Sequence, residues 1–159
     1  MPDSTPPVLK ARLQSDLTEA MRGRDELRTA TLRMVLTAVR AEEVSGRTAR
    51  ELSDGEIVTV LGREAKKRRE AATAFGDAGR VEQAQRERDE LGVLHGYLPT
   101  QLSADDLTAL VAEEIAAAAA AGATGMGAMG RVMKAVQPRV AGRAEGGQVA
   151  AEVRRQLAG

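Results

Sequence analysis

Tyr97-Leu98-Pro99-Thr100-Gln101-Leu102-Ser103, followed by Asp105, Asp106 and Leu107, is the stretch on which the reading of this chain turns. A helical pattern runs up to Leu94 and then meets Pro99, which has no amide hydrogen to donate and turns the residue before it away from helix. A new helix starts with its own signals: Leu102 at N′, Ser103 as N-cap, Asp106 at N3 and Leu107 at N4. The stretch predicts a joint between two helical domains, residues 1–97 and 98–159, in an all-α protein.

Working back from the joint, apolar residues recur at helical spacing, and nothing alternates with period two for long enough to make a strand. Leu9, Leu13, Leu17 and Met21 form one stripe of a first helix ending near Gly23. A second, from about Asp25 to Ser45-Gly46, presents Leu27, Thr31, Met34, Val35, Ala38 and Val39. The third has the clearest start, with Ser53 and Glu56 as a capping box and Leu52 and Ile57 as a hydrophobic staple, and it runs to about Phe75. The fourth, from about Ala78 to Leu94, is highly charged, with apolar groups only at Val81, Ala84, Leu91 and Leu94.

Beyond the joint, a fifth helix runs through the alanine tract Ala116 to Ala121, a helix-favouring run that reads as a close-packing or solvent-facing surface. A sixth follows Thr124, with Met126, Met129, Val132, Met133 and Val136 inward, and ends near Pro138. The last, from about Gly146 to Leu157, carries Val149, Val153 and Leu157 four residues apart. A four-helix N-terminal region joined to a three-helix tail is the expected architecture.

Composition bounds the function. With 43% hydrophobic and 29% charged residues, the chain of 159 residues has the balance of a folded globular protein. No window approaches 18 uncharged apolar residues, and Met1-Pro2-Asp3-Ser4-Thr5-Pro6-Pro7 has neither the basic nor the apolar region of a signal peptide, so a cytoplasmic protein without a membrane span is expected. The absence of cysteine removes disulfides, thiolate zinc sites and cysteine nucleophiles.

The 23 basic and 23 acidic residues cancel, but not locally. Residues 99–121 hold four acids and no base, whereas residues 122–159 hold six bases against Glu145 and Glu152, a net of +4. A charged partner is expected to meet that C-terminal segment, with Arg131, Lys134, Arg139 and Arg143 as phosphate contacts. Lys66, Lys67, Arg68 and Arg69 beside Arg63 form a second basic cluster, which reads either as a solvated face partnered by Glu64 and Glu70 or as a phosphate contact. With Phe75 and Tyr97 the only aromatic residues, no base-stacking platform exists, so any RNA contact would be to backbone and shape.

Other motifs do not lead to chemistry. Gly125-Met126-Gly127-Ala128-Met129-Gly130 spells the dinucleotide fingerprint, but that motif works only after a β-strand, and a polyalanine helix precedes it here. The glycines read instead as allowing a neighbouring helix to approach. His95, the only histidine, has no partners for a metal cluster or a serine triad and reads as a packing or capping residue. Glu42-Glu43, Asp105-Asp106 and Glu113-Glu114 are adjacent pairs that diverge by about 100° on a helix and read as solvated faces. No catalytic residue, metal site or cofactor is expected.

The chain resembles the stand-alone YqeY-like proteins, whose domain also forms the tail of the B subunit of glutamine-dependent aminoacyl-tRNA amidotransferases. The resemblance runs from Leu9 to Leu157. It rests on Glu51-Leu52-Ser53-Asp54-Gly55-Glu56-Ile57, Lys66-Lys67-Arg68-Arg69-Glu70, Tyr97 to Ser103, Met129-Gly130-Arg131-Val132-Met133 and Gly142-Arg143-Ala144-Glu145-Gly146. Ala128 and Glu145 depart from the acid and the aspartate usual in the family. The resemblance implies a tRNA-contacting tail without the amidotransferase's catalytic domain. Carbon–nitrogen ligase activity with glutamine as donor attaches to this chain by family association only. The partners it implies are tRNA, amidotransferase subunits or another protein docking on helix faces. It leaves the oligomeric state open.

Overall fold

The computed structural model describes residues 8–159, so the opening Met1 to Pro7, read above as lacking a leader, lies outside the described residues. Every regular element among the described residues is helical. In order they are α1 (Val8–Arg22), α2 (Glu26–Glu43), α3 (Asp54–Asp77), α4 (Val81–His95), α5 (Ala104–Ala120), a short 3-10 turn (Met126–Ala128), α6 (Met129–Val140) and α7 (Gly146–Ala158). The chain divides between Leu98 and Pro99 into two compact units. Leu98 packs against the first core.

In the first unit α1 and α2 form a hairpin through Gly23-Arg24-Asp25, and Asp25 caps α2 by accepting from the Arg28 amide. Ser53 and Glu56 close the capping box of α3 as their spacing predicts. The core gathers Leu13 and Ala20 of α1, Leu32, Val35 and Val39 of α2, Ile57, Val60, Leu61 and Ala65 of α3, and Leu94 and Tyr97 at the end of α4. The α1 stripe turns inward at Ala20, leaving Met21 44% exposed, because 3.6 residues per turn carries a strict four-residue spacing off the buried face.

Tyr97 ties the end of α4 into this core. Its hydroxyl donates to Asp16 of α1 and accepts from Arg28 Nη2 of α2, while the Arg12 guanidinium lies 4.7 Å from the ring centroid. Burial, with the Asp16 carboxylate, raises the phenol pKa above its ordinary value, so the group stays a neutral donor. Nearby, Lys10 of α1 bonds the buried Glu43 at the end of α2, which draws the Glu43 pKa down.

The 24-residue α3 spans about 36 Å and outruns the shared core. Beyond Ala65 its partner is α4, and charges carry much of that contact. Arg68 Nη1 lies 3.3 Å from Glu90 and 3.4 Å from Glu87, Arg68 Nη2 lies 3.9 Å from Glu64, and Lys67 and Arg86 close on Glu64 and Glu90 from outside. Glu64 and Glu90 are only 6% and 9% exposed, and buried carboxylates persist because cations partner them. Of the apolar groups of α4, Ala84 and Leu94 are buried, whereas Val81 is 70% exposed.

The second unit is a three-helix cluster built on valines four apart. Val132, Val136 and Val140 of α6 meet Leu107, Leu110, Val111 and Ala118 of α5 and Val149 and Val153 of α7. Pro138 is accommodated in the last turn of α6, which continues to bury Val140. Gly142, at φ +71°, ends it in the left-handed conformation that favours glycine. The alanine tract is solvent-facing, with only Ala118 buried.

Tyr97→Phe should cost about 1–2 kcal/mol of stability, since it deletes a buried hydroxyl bonded to a charged carboxylate while Arg28 still partners Asp16. Urea unfolding followed by far-ultraviolet circular dichroism checks this, and a midpoint equal to wild type would remove Tyr97 as the anchor.

Candidate nucleic-acid interface

The structure gives the four tail cations different tasks. Arg139, on α6, places Nη1 2.8 Å from Glu114 and Nη2 2.8 Å from Glu113 of α5, a fork closed by both acids. Arg143 donates from Nε to the Thr100 carbonyl and from Nη1 to the Arg139 carbonyl near the end of α6. Around it, the Leu102 amide bonds the Arg143 carbonyl and Gln101 Nε2 bonds the Gly142 carbonyl, so Thr100-Gln101-Leu102 forms a strap over the α6–α7 turn. Arg139 and Arg143 are therefore occupied in holding the unit together.

Arg131 and Lys134 are placed differently. They stand three residues apart on the exposed side of α6, and among the described residues no side-chain hydrogen bond or ion pair engages either one. Arg154, counted in the segment's charge but left out of the contact set, is likewise exposed on α7 and unpaired among the described residues. Its signal in sequence was the charge excess alone.

The net of +4 does not survive folding as a field. Residues 99–159 hold six bases and six acids, and α5 brings Glu113 and Glu114 onto Arg139. The adjacent carboxylate pairs are accordingly not simply solvated: Glu43 bonds Lys10, Glu42 bonds Arg63, and Asp106 completes the capping box of α5 with Ser103.

The second basic cluster lies in the other unit and is largely partnered. Lys67 pairs with Glu64 at 2.9 Å, Lys66 with Glu70 at 3.9 Å, Arg63 with Glu42 at 3.0 Å, and Arg68 joins the α3–α4 network. Arg69 is half-buried. Partial burial of the His95 ring, with the charge of Arg69, lowers the His95 pKa. His95 is the basic residue in the last turn of α4, largely exposed with its ring partly covered, and the described residues contain no metal-binding cluster of His, Cys, Asp or Glu.

The Gly125–Gly130 segment differs from its sequence reading. A Cβ at Gly125, Gly127 or Gly130 would meet nothing within 4 Å, so no neighbouring helix presses on these glycines. Gly125 needs its residue type for another reason, φ +64° with ψ −165°. Met126, expected inward, is 51% exposed, and Ala128 takes the buried place.

A cleft of about 540 Å³ opens between α5 and α7 over Leu102, Leu107, Ala144 and Ala151, with Gln148, Glu152 and Arg155 at its rim. Ser103 in its wall is occupied in capping α5. Glu152 is held ionised, its pKa near 2, by Arg155 first and then Gln156, whose amide also bonds the Thr108 carbonyl. These are structural uses of polar groups.

In the two helical units polar groups are spent on caps, ion pairs and a strap, and a few cations are left exposed. The chain belongs to the YqeY-like protein family, whose model matches residues 10–157. No curated protein matches it. Among the described residues no helix is long and apolar enough to cross a membrane.

Arg139→Ala should lower the thermal midpoint of the tail unit, because Glu113 and Glu114 lose their shared cation; calorimetry of the full chain reads this. Glu152 carries a pH signature of definite sign. Its pKa falls from 4.5 to about 2 on folding, so its contribution is complete above about pH 4.5 and disappears as pH drops toward 2. Thermal midpoints of Glu152→Gln should vary less than wild type across that window.

Proposed function

We propose that this YqeY-like protein is a non-catalytic helical protein that contacts tRNA through its phosphate backbone, alone or in association with an amidotransferase. The observation that carries the reading is the pair Arg131 and Lys134, exposed on one side of α6 with no acid engaged to them, and Arg154 adds a third unengaged cation in the same unit. Phosphate recognition needs such unspent charge, and Arg139 and Arg143 do not supply it. With so few contacts, binding is modest and reads backbone rather than sequence. Lys66 and Lys67, each shared with an acid, are secondary contacts in this reading.

A second reading has its own support. From Ile115 to Gly130 the chain carries no charged side chain, and most of that run is exposed, including Met126. Such a surface suits a protein-interaction module docking through helix faces. Nothing observed favours carbon–nitrogen ligase activity by this chain alone.

Filter binding of uncharged tRNA over a salt series tests the first reading. Each phosphate contact contributes a log–log slope of about −0.7 to −0.9, so two to three contacts give about −2. Arg131→Ala/Lys134→Ala should remove most of that slope, whereas Arg139→Ala should leave it in place. Absent or salt-independent binding overturns RNA contact, and a protein partner that stays bound through nuclease and high salt would establish the docking reading instead.

A further inference from the structure

Sulfur chemistry in this chain belongs to methionine alone, because cysteine is absent and methionine occurs six times. Met34, Met129 and Met133 are partly buried against the two cores. Met21 and Met126 stand out at 44% and 51% exposure. Oxidants reach accessible thioethers first, so among the described residues that chemistry falls on these two.

Met21 differs from Met126 in having a partner. Arg33 Nη2, on α2, donates to Met21 Sδ at 3.2 Å across the α1–α2 hairpin. Arg33 is exposed, and among the described residues no other side-chain hydrogen bond or ion pair engages its guanidinium. A guanidinium is a strong, charged donor and a thioether a weak acceptor, so the two are mismatched as they stand. The mismatch disappears when the sulfur carries an oxygen, because a sulfoxide oxygen is polar and accepts a charge-assisted hydrogen bond.

We propose that Met21 is a peroxide-modification site whose oxidised form is held by Arg33. The co-reactant is hydrogen peroxide or a small alkyl hydroperoxide. A sulfur lone pair of Met21 attacks the terminal peroxide oxygen, and the S–O bond forms as the O–O bond breaks. The proton of the transferred oxygen passes to the departing one, which leaves as water or an alcohol. Sulfur is oxidised by two electrons and the peroxide is reduced by the same two. Arg33 reaches the sulfur on an exposed stem, so it can draw back by one added atom and keep its donor on the new oxygen. The oxygen adds at the surface, outside the core of Leu13, Leu32 and Val35. An apolar end of the α1 stripe becomes a polar tie between α1 and α2, and sulfoxide reduction reverses it.

Limited hydrogen peroxide treatment of the folded full-length chain, followed by peptide mass mapping, tests the first half. Met21 and Met126 should convert several-fold faster than Met34, Met129 and Met133, and conversion of Met21 no faster than those three overturns the proposal. The second half is read in Met126→Leu and Met126→Leu/Arg33→Ala, each compared by thermal midpoint with its own untreated form. Treated Met126→Leu should keep or raise its midpoint, whereas the treated protein lacking Arg33 should fall. The gap should be about 2–8 °C, what one hydrogen bond contributes in a chain or unit of this size. Adding Met21→Leu to both should close the gap, which assigns it to this sulfur. Equal shifts with and without Arg33, or a gap that survives Met21→Leu, overturn the proposal.

Discussion

The hydrogen bond from the Tyr97 hydroxyl to Asp16 is the constraint around which the first unit is organised. It joins the turn just beyond α4 to α1, and through Arg28 to α2, so the ends of three helices are tied at one phenol. The ring adds burial and a guanidinium partner in Arg12. The joint that follows begins from a fixed position, because the residue before Leu98-Pro99 is held on more than one side. What reads in sequence as a punctuation mark is physically an anchor, and it needs the phenol to be neutral, as burial keeps it.

Charge pairing organises much of the rest. In the first unit Arg68 joins Glu64, Glu87 and Glu90 where α3 has left the apolar core, and the paired helices continue with alanine and ion pairs in place of leucine. In the second, Arg139 closes on α5 and Arg143 on the strap. The chain spends its arginines on geometry, using the fixed fork of the guanidinium to bridge helices. Candidates for recognition are the cations left over, and these are few.

Helix starts were legible because they are local: the Ser53–Glu56 and Ser103–Asp106 boxes lie within four residues, and both form. The valines of α6 and α7 were legible by period. Met21 and Met126 were misplaced because periodicity fixes a stripe only to within about a residue at its ends, where the neighbouring helix decides. The site was less legible, since a cation's availability depends on acids far along the chain. Glu114 is 25 residues from Arg139 in sequence, and Glu90 is 22 from Arg68. That Gly125, Gly127 and Gly130 are uncrowded is likewise invisible until it is known that nothing packs there.

The fork of Arg139 on Glu113 and Glu114 has a consequence for how the protein meets polyanions in general. The last 38 residues are strongly basic as a chain, yet the unit that contains them is neutral as a fold. Folding withdraws charge that an extended chain would display: Arg139 is closed by two acids about 25 residues away in sequence, and Arg131, Lys134 and Arg154 remain as a small, fixed remainder.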